Sequence, residues 1–519
     1  MAKSSTANST GGAAPQCRKP PLRAVGRSIE DFKPLLSAEE KLLACCRKGE
    51  LATIGEKPPE EETDDNCVRA EFIRFLVLGG DEAAPVHEHG VELTGAWVKG
   101  KLDLEGADTS GSMWLYKCRL ENINLQQAHI SAVGLDGSRL DGELNGDSVR
   151  CEARLFLRNG FHALGRVRLN GARIGILDCD NASFVGGEEA LNCSGAVVSG
   201  GLFLRDSRFR GCVSLFSTEI GTDLDCSRSE FLNPGGIAFV CSRATVGGGF
   251  FWRNVKAVQG TVDLSSSAVG TLLDDRSSWE CTRGATFLDG FKYNRLVRTP
   301  PVNAQAHVHW LLGQRKKDLA HEFRPQPWEQ LTTVLREMGY PDEARTVALE
   351  KHKAMRGAGR YVGGSWIWDR IYGGLVGYGY RPWRLLWIVG AVWLGCALAY
   401  SAAIRPHLVG APTPLLAQAR PEIDLPCLVQ RVSSGSTTPC PRAAPDFKNF
   451  VSLAYSAEVL LPVINLGSKA EWRPVLATSD GEPIFWGWML FGVYWFETAF
   501  GWLAGLLLVA AFGNLVKKE

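Results

Sequence analysis

The sequence predicts a mainly β protein: a solenoid of the right-handed β-helix type with helical caps, followed by a C-terminal α-helical transmembrane domain. Three observations carry this prediction. A short apolar motif recurs nine times between Val91 and Val269. Glycine, at 57 of 519 residues, exceeds its usual share of about 7%. Residues 385–404 hold no charge, and 10 of the 16 tryptophans lie between Trp366 and Trp502, as at a membrane interface.

Charge excludes one class of function. The 57 Lys and Arg balance 56 Asp and Glu to a net +1, with no acidic or basic tail, so no nucleic-acid partner is expected. Residues 1–28 are small and polar and lack the apolar core of a secretory signal, which predicts a disordered cytoplasmic tail. Residues 29–85 read as a helical N-terminal cap: Ser37-Ala38-Glu39-Glu40 has capping-box spacing, and the apolar run Val68–Leu78 leads into the repeats.

The repeats occupy 86–285. The unit is apolar-x-apolar-x-x-small-x-apolar, as in Val91, Leu93, Ala96, Val98. Copies then begin at Met113, Ile123 and Val133, ten residues apart, and later at Val167, Leu191, Val213, Phe239 and Val262. In later copies the unit runs through glycine to a second apolar pair, as in Ile220-Gly221-x-x-Leu224-x-Cys226. Each pair has the two-residue period of a strand, and glycine permits sharp corners. Neither strand can bury its apolar face alone, so successive turns must stack, giving eight or nine coils. The A-x-L-x-x spacing from Met113 to Leu140 resembles that of pentapeptide-repeat proteins.

Residues 286–380 are expected to form a helical hairpin and stalk. Trp328–Met355 reads as two amphipathic helices around Gly339-Tyr340-Pro341-Asp342 and resembles one hairpin of a tetratricopeptide-like repeat. A C-terminal cap is the preferred reading, and a docking module the alternative.

Residues 381–519 form the transmembrane domain. The first span is 385–404. The second lies within 484–516, where Glu497 is the one charge in 33 positions. That stretch implies a long or tilted helix, or one preceded by an interfacial segment. Segment 351–384 carries seven Lys or Arg against Asp369, whereas loop 405–482 balances seven against seven. Positive-inside counting therefore puts both termini in the cytoplasm and the loop in the periplasm of a bacterial inner membrane. Between the spans, Asn449–Leu461 is apolar, helix-competent and too short to cross, and is broken by Pro462 before Val463-Ile464-Asn465-Leu466-Gly467. This order resembles the two-helix pore-loop unit of potassium channels, without its filter sequence. Leu375-Val376-Gly377-Tyr378-Gly379 looks like that filter but precedes the first span, and reads as an interfacial turn.

The segments FRPQPWEQL, GYGYRPWR, EVLLPVINLGSKAEW and FETAFGWLAGLLLVAAFGNLVKKE resemble a bacterial family of pentapeptide-like β-helix membrane proteins, often labelled "membrane-associated oxidoreductase". The resemblance implies this architecture, and no catalytic motif comes with the label.

Candidate site residues are few. Glu497, an ionisable group in an apolar span, reads as facing a water path or protein interior, or else as lying near the outer interface or paired with a loop cation such as Arg473. Glu458 reads as one member of a carboxylate ring in an oligomer, or as a solvated loop charge. Pro462, Asn465 and Gly467 complete the re-entrant-like segment. Cys427 and Cys440 are a candidate disulfide pair if their loop is periplasmic, worth about 3 kcal/mol. The twelve cysteines before residue 300 read as reduced core residues. His87-Glu88-His89 and His307-Val308-His309 lack further ligands at metal-site spacing. No dinucleotide, Cys-x-x-Cys, haem, Gly-x-Ser-x-Gly or phosphate-loop motif occurs, so no catalytic residue, cofactor or metal is assigned.

Two helices cannot enclose a pore. The sequence therefore predicts a homo-oligomeric, channel-like membrane protein with a cytoplasmic β-helix as sensor or assembly domain. The alternative is a membrane-anchored scaffold whose β-helix binds a protein partner. An oxidoreductase is the third reading, by family label alone.

Overall fold

The computed structural model describes residues 28–109, 111–297, 308, 310–312, 323–357, 383–405, 415–418, 450–461, 463–477 and 482–516. The chain divides into two compact units, Met1–Ala354 and Met355–Glu519.

The first unit is a β solenoid of about nine turns, built from a 13-stranded and a 12-stranded parallel sheet. All 36 motif positions, four in each of nine copies, are buried. The ten-residue spacing proves to be half a coil. Met113 and Val133 pair in one sheet, while Ile123, between them in sequence, lies in the other beside Leu102. The motif also recurs in the second half of later coils, as Leu177, Cys179, Ala182, Phe184 and as Leu202, Leu204, Ser207, Phe209, all buried.

Corners follow one rule. The residue just before the small position has positive φ, and the small residue's N–H either goes to a serine hydroxyl of the next coil, as Cys118 N goes to Ser138 Oγ, or returns to the carbonyl three positions back, as in Ala128 N to Leu125 O at 3.0 Å. That is the geometry of a type II turn, for which glycine is the expected occupant. Eleven non-glycine residues from Lys117 to Ser266 nevertheless have positive φ among the described residues. Glycine is thus only one of several corner residues. Asn and Asp are the non-glycine residues that enter the left-handed region most readily, whereas Lys117, Arg228 and Arg243 are held there by the stacked coils.

Inside, aromatic rings form a ladder. Phe161, Phe184, Phe209, Phe231, Trp252, Trp279 and Trp310 follow one another at centroid spacings of 4.9 to 5.7 Å. Buried hydroxyls at small positions satisfy corner amides of the preceding coil. Ser207 Oγ accepts from Ala182 N at 2.9 Å, and Ser229 Oγ accepts from Ser207 N at 3.1 Å. Each replaces a hydrogen bond that burial would otherwise leave unmade.

Both ends of the solenoid are covered. At the N-terminal end the helix Ser37–Lys48 begins one residue earlier than a Ser37 cap would place it. Leu36 is the cap, and Glu39 reaches back to its N–H at 3.0 Å. Glu39 is fully buried and also binds the Arg69 guanidinium, with Nε at 2.8 Å. At the other end the helix Gln326–Glu337 lies on the last strand, Lys292–Val297. Gln326 bonds Gly290 N at 2.8 Å and Phe291 O at 3.2 Å, and Gln330 donates to Tyr293 O at 2.7 Å. These side-chain amides occupy strand-edge groups that would otherwise invite further pairing. The helix Pro341–Gly357 follows.

The second unit contains the helix Trp383–Ile404, a short helix Ser452–Leu460 and the helix Phe485–Val516. The first, and the stretch Phe485–Val509 of the last, are long and apolar enough to cross a membrane. The last is one unbroken helix of 32 residues, which accounts for its long charge-poor sequence.

Candidate functional site

The most constrained polar site joins the three helices of the second unit. Glu497 is fully buried and is the thirteenth residue of the 25-residue span. Tyr400, from the first span, donates its hydroxyl to Glu497 Oε2 at 2.8 Å. Ser456, from the short helix, meets Glu497 Oε1 with its hydroxyl and also lies 3.0 Å from Trp393 O. Trp393 is the eleventh of 22 residues in the first span, and its indole donates to Leu453 O at 3.0 Å.

These contacts fix the depth of the short helix. Ser456 touches both long helices near their midpoints, so the short helix packs against them at mid-length. Its far end goes deeper: the Leu460 carbonyl packs on Gly501, sixteen residues and about 24 Å into the second span. Only a residue without Cβ fits there. Tyr455 packs edge-on to Tyr400 at 4.9 Å, completing the three-helix contact.

The chain then turns back. Asn465 is exposed, and its Oδ1 accepts from Gly467 N at 3.1 Å. Gly467 supplies the left-handed corner at φ 81° before the turn Ser468–Glu471. Glu458 is 4% exposed and accepts from Ser468 N at 2.8 Å and Lys469 N at 3.1 Å. Within one chain it therefore pins the returning segment onto the short helix. Pro462, Cys427 and Cys440 lie outside the described residues, as do Leu375–Gly379, His307 and His309. Val463, 93% exposed, and Ile464 and Leu466 form an uncovered apolar edge.

Arg473, named in the alternative reading as a loop cation for Glu497, lies on the strand Trp472–Pro474, paired with Leu416–Gln418. Tyr400, Ser456 and Gly501 are the residues that sequence reading missed. Tyrosine, serine and glycine are ordinary in such segments, and only the fold brings them to Glu497 or Leu460.

In the solenoid the thiols are enclosed. Burial pushes Cys118, Cys193 and Cys241 up to about 12, and Cys179 and Cys226 well above the ordinary thiol value. Such groups are poor nucleophiles and ligands. His87 and His89 stack edge-on at 4.4 Å, with His89 Nδ1 against Gly49 O. Among the described residues no three His, Cys, Asp or Glu side chains gather as a metal site.

No protein-family model matches the chain, and no curated protein matches it. Its class is defined by its architecture: a β solenoid with a helical C-terminal part containing two helices long and apolar enough to span a membrane.

Proposed function

We propose that this chain is an oligomeric, channel-like protein of the bacterial inner membrane. In this reading both termini are cytoplasmic, and the solenoid serves as sensor or assembly domain. One observation carries it: a short helix pinned at mid-span by Glu497 and Ser456 leads into an exposed returning segment. Non-helical backbone at membrane depth is stable only where protein covers it or water lines it. Among the described residues one chain supplies no closed wall around the returning segment, and a ring of chains would supply one. The helix, short helix, return and helix order supports the likeness to a pore-loop unit, with Asn465 and Gly467 nearest the path.

The test is stoichiometry of the purified full chain, followed by ion flux in liposomes. A closed oligomer of four or more, with flux altered by Asn465→Asp, is the expected result. A monomer or dimer without flux would sink the channel reading.

A membrane-anchored scaffold is the second reading. It draws on an outward ladder in which Arg158, Arg205 and Arg253 cover Phe156, Phe203 and Phe251 at 3.7 to 5.0 Å, a regular face for a protein partner. Replacing residues 383–519 with an unrelated anchor would then preserve function.

A further inference from the structure

Beside the returning segment lies a cavity of about 680 Å³, a size typical of small-molecule sites. Its wall is divided by chemistry. Phe491 and Tyr494 of the second span, with Ile464, give it an apolar side, and Lys469, Trp472 and Arg473 of the return give it a cationic one. Glu458 is the one carboxylate in the lining, and it already accepts two backbone N–H groups. Lys469 Nζ sits 5.3 Å from the Tyr494 ring centroid, and among the described residues neither Lys469 nor Arg473 has a carboxylate partner. Two cations over one committed carboxylate leave the site in want of an anion.

We infer that this cavity binds the phosphate headgroup of an anionic phospholipid. Tyr494 is nine residues, about 14 Å, into the second span, so the cavity reaches from headgroup level toward acyl depth. Trp472 and Tyr494 are the residue types that sit at that boundary. A hydrated free phosphate would gain nothing from Phe491 and Ile464, whereas a lipid places its phosphate between Lys469 and Arg473 and its glycerol and first methylenes on the apolar side. The inference rests on the two helices crossing a bilayer and not on ion flux, so loss of the channel reading leaves it standing.

The experiment is native mass spectrometry of the detergent-solubilised full chain with phosphatidylglycerol or phosphatidylcholine of matched acyl chains. The wild type is expected to retain phosphatidylglycerol preferentially, by about fivefold for each cation engaged. The double variant Lys469→Ala/Arg473→Ala should fall to parity. Arg473→Gln, at an exposed position, should lose about fivefold with its melting temperature unchanged. Parity in the wild type, an undiminished preference in Arg473→Gln, or equal occupancy by inorganic phosphate alone would each overturn the assignment.

Discussion

Gly501 and Leu460 meet backbone to backbone: a Cβ built on Gly501 would overlap the Leu460 carbonyl oxygen. The end of the short helix is thus seated directly on the second span, with no side chain to give way. Gly501→Val is expected to lift the short helix and cost about 1–3 kcal/mol, as overpacking does. Gly505→Val, in open space on the same helix, should be close to neutral. Thermal unfolding of both variants in one detergent checks the pair.

Glu497 is held by chemistry that glutamine can imitate. The amide of Glu497→Gln can accept from Tyr400 and donate to Ser456, whose own proton is then free for Trp393 O. That variant should keep its stability within about 1 kcal/mol, whereas Glu497→Ala strands a buried tyrosine hydroxyl and should lose about 1–3 kcal/mol plus a cavity penalty. Equal losses in thermal melts would show that the Tyr400 and Ser456 contacts contribute little.

The solenoid was legible because its inward positions alternate apolar and small residues with few exceptions, and burial is what repeats. Corners were less legible. Lys117, Arg228 and Arg243 have no preference for positive φ, and only stacking against neighbouring coils holds them there. The coil's second half was partly hidden, since Cys179 and Phe184 stand where earlier copies carry leucine and isoleucine. In the second unit, Glu497 stood out as a charge in an apolar run. Its partners did not, because Tyr400 and Ser456 come from segments 97 and 41 residues away.

The aromatic ladder makes a local prediction. Phe209 is fully buried and stacks on Phe184 at 4.9 Å and on Phe231 at 5.4 Å. Phe209→Ala should cost about 3–5 kcal/mol, and Phe209→Leu less, since it retains most of the apolar contact. In a repeat array the damage falls mainly on adjoining coils. Hydrogen exchange should therefore accelerate around 184–231 before it does near Leu93.

His129 ties neighbouring coils through charge. Its Nδ1 lies 3.0 Å from Asp108 Oδ1 and its Nε2 3.1 Å from Glu152 Oε1. Both rings of contact favour the imidazolium, so Glu152 first, and then Asp108, raise the histidine above its ordinary value of 6.5. A folded-state value raised above the unfolded one gives stability that is fully present below about pH 6.5 and is lost as pH rises through the raised value. The group is solvent-exposed, so the contribution is small and salt-sensitive. His129→Gln should be less stable than the wild type at about pH 5.5, with the gap closing by about pH 9. Urea unfolding at the two pH values, in low and high salt, reads this directly. A gap of constant size would mean that His129 links these coils by packing and neutral hydrogen bonds, and that its charge is not what joins Asp108 to Glu152.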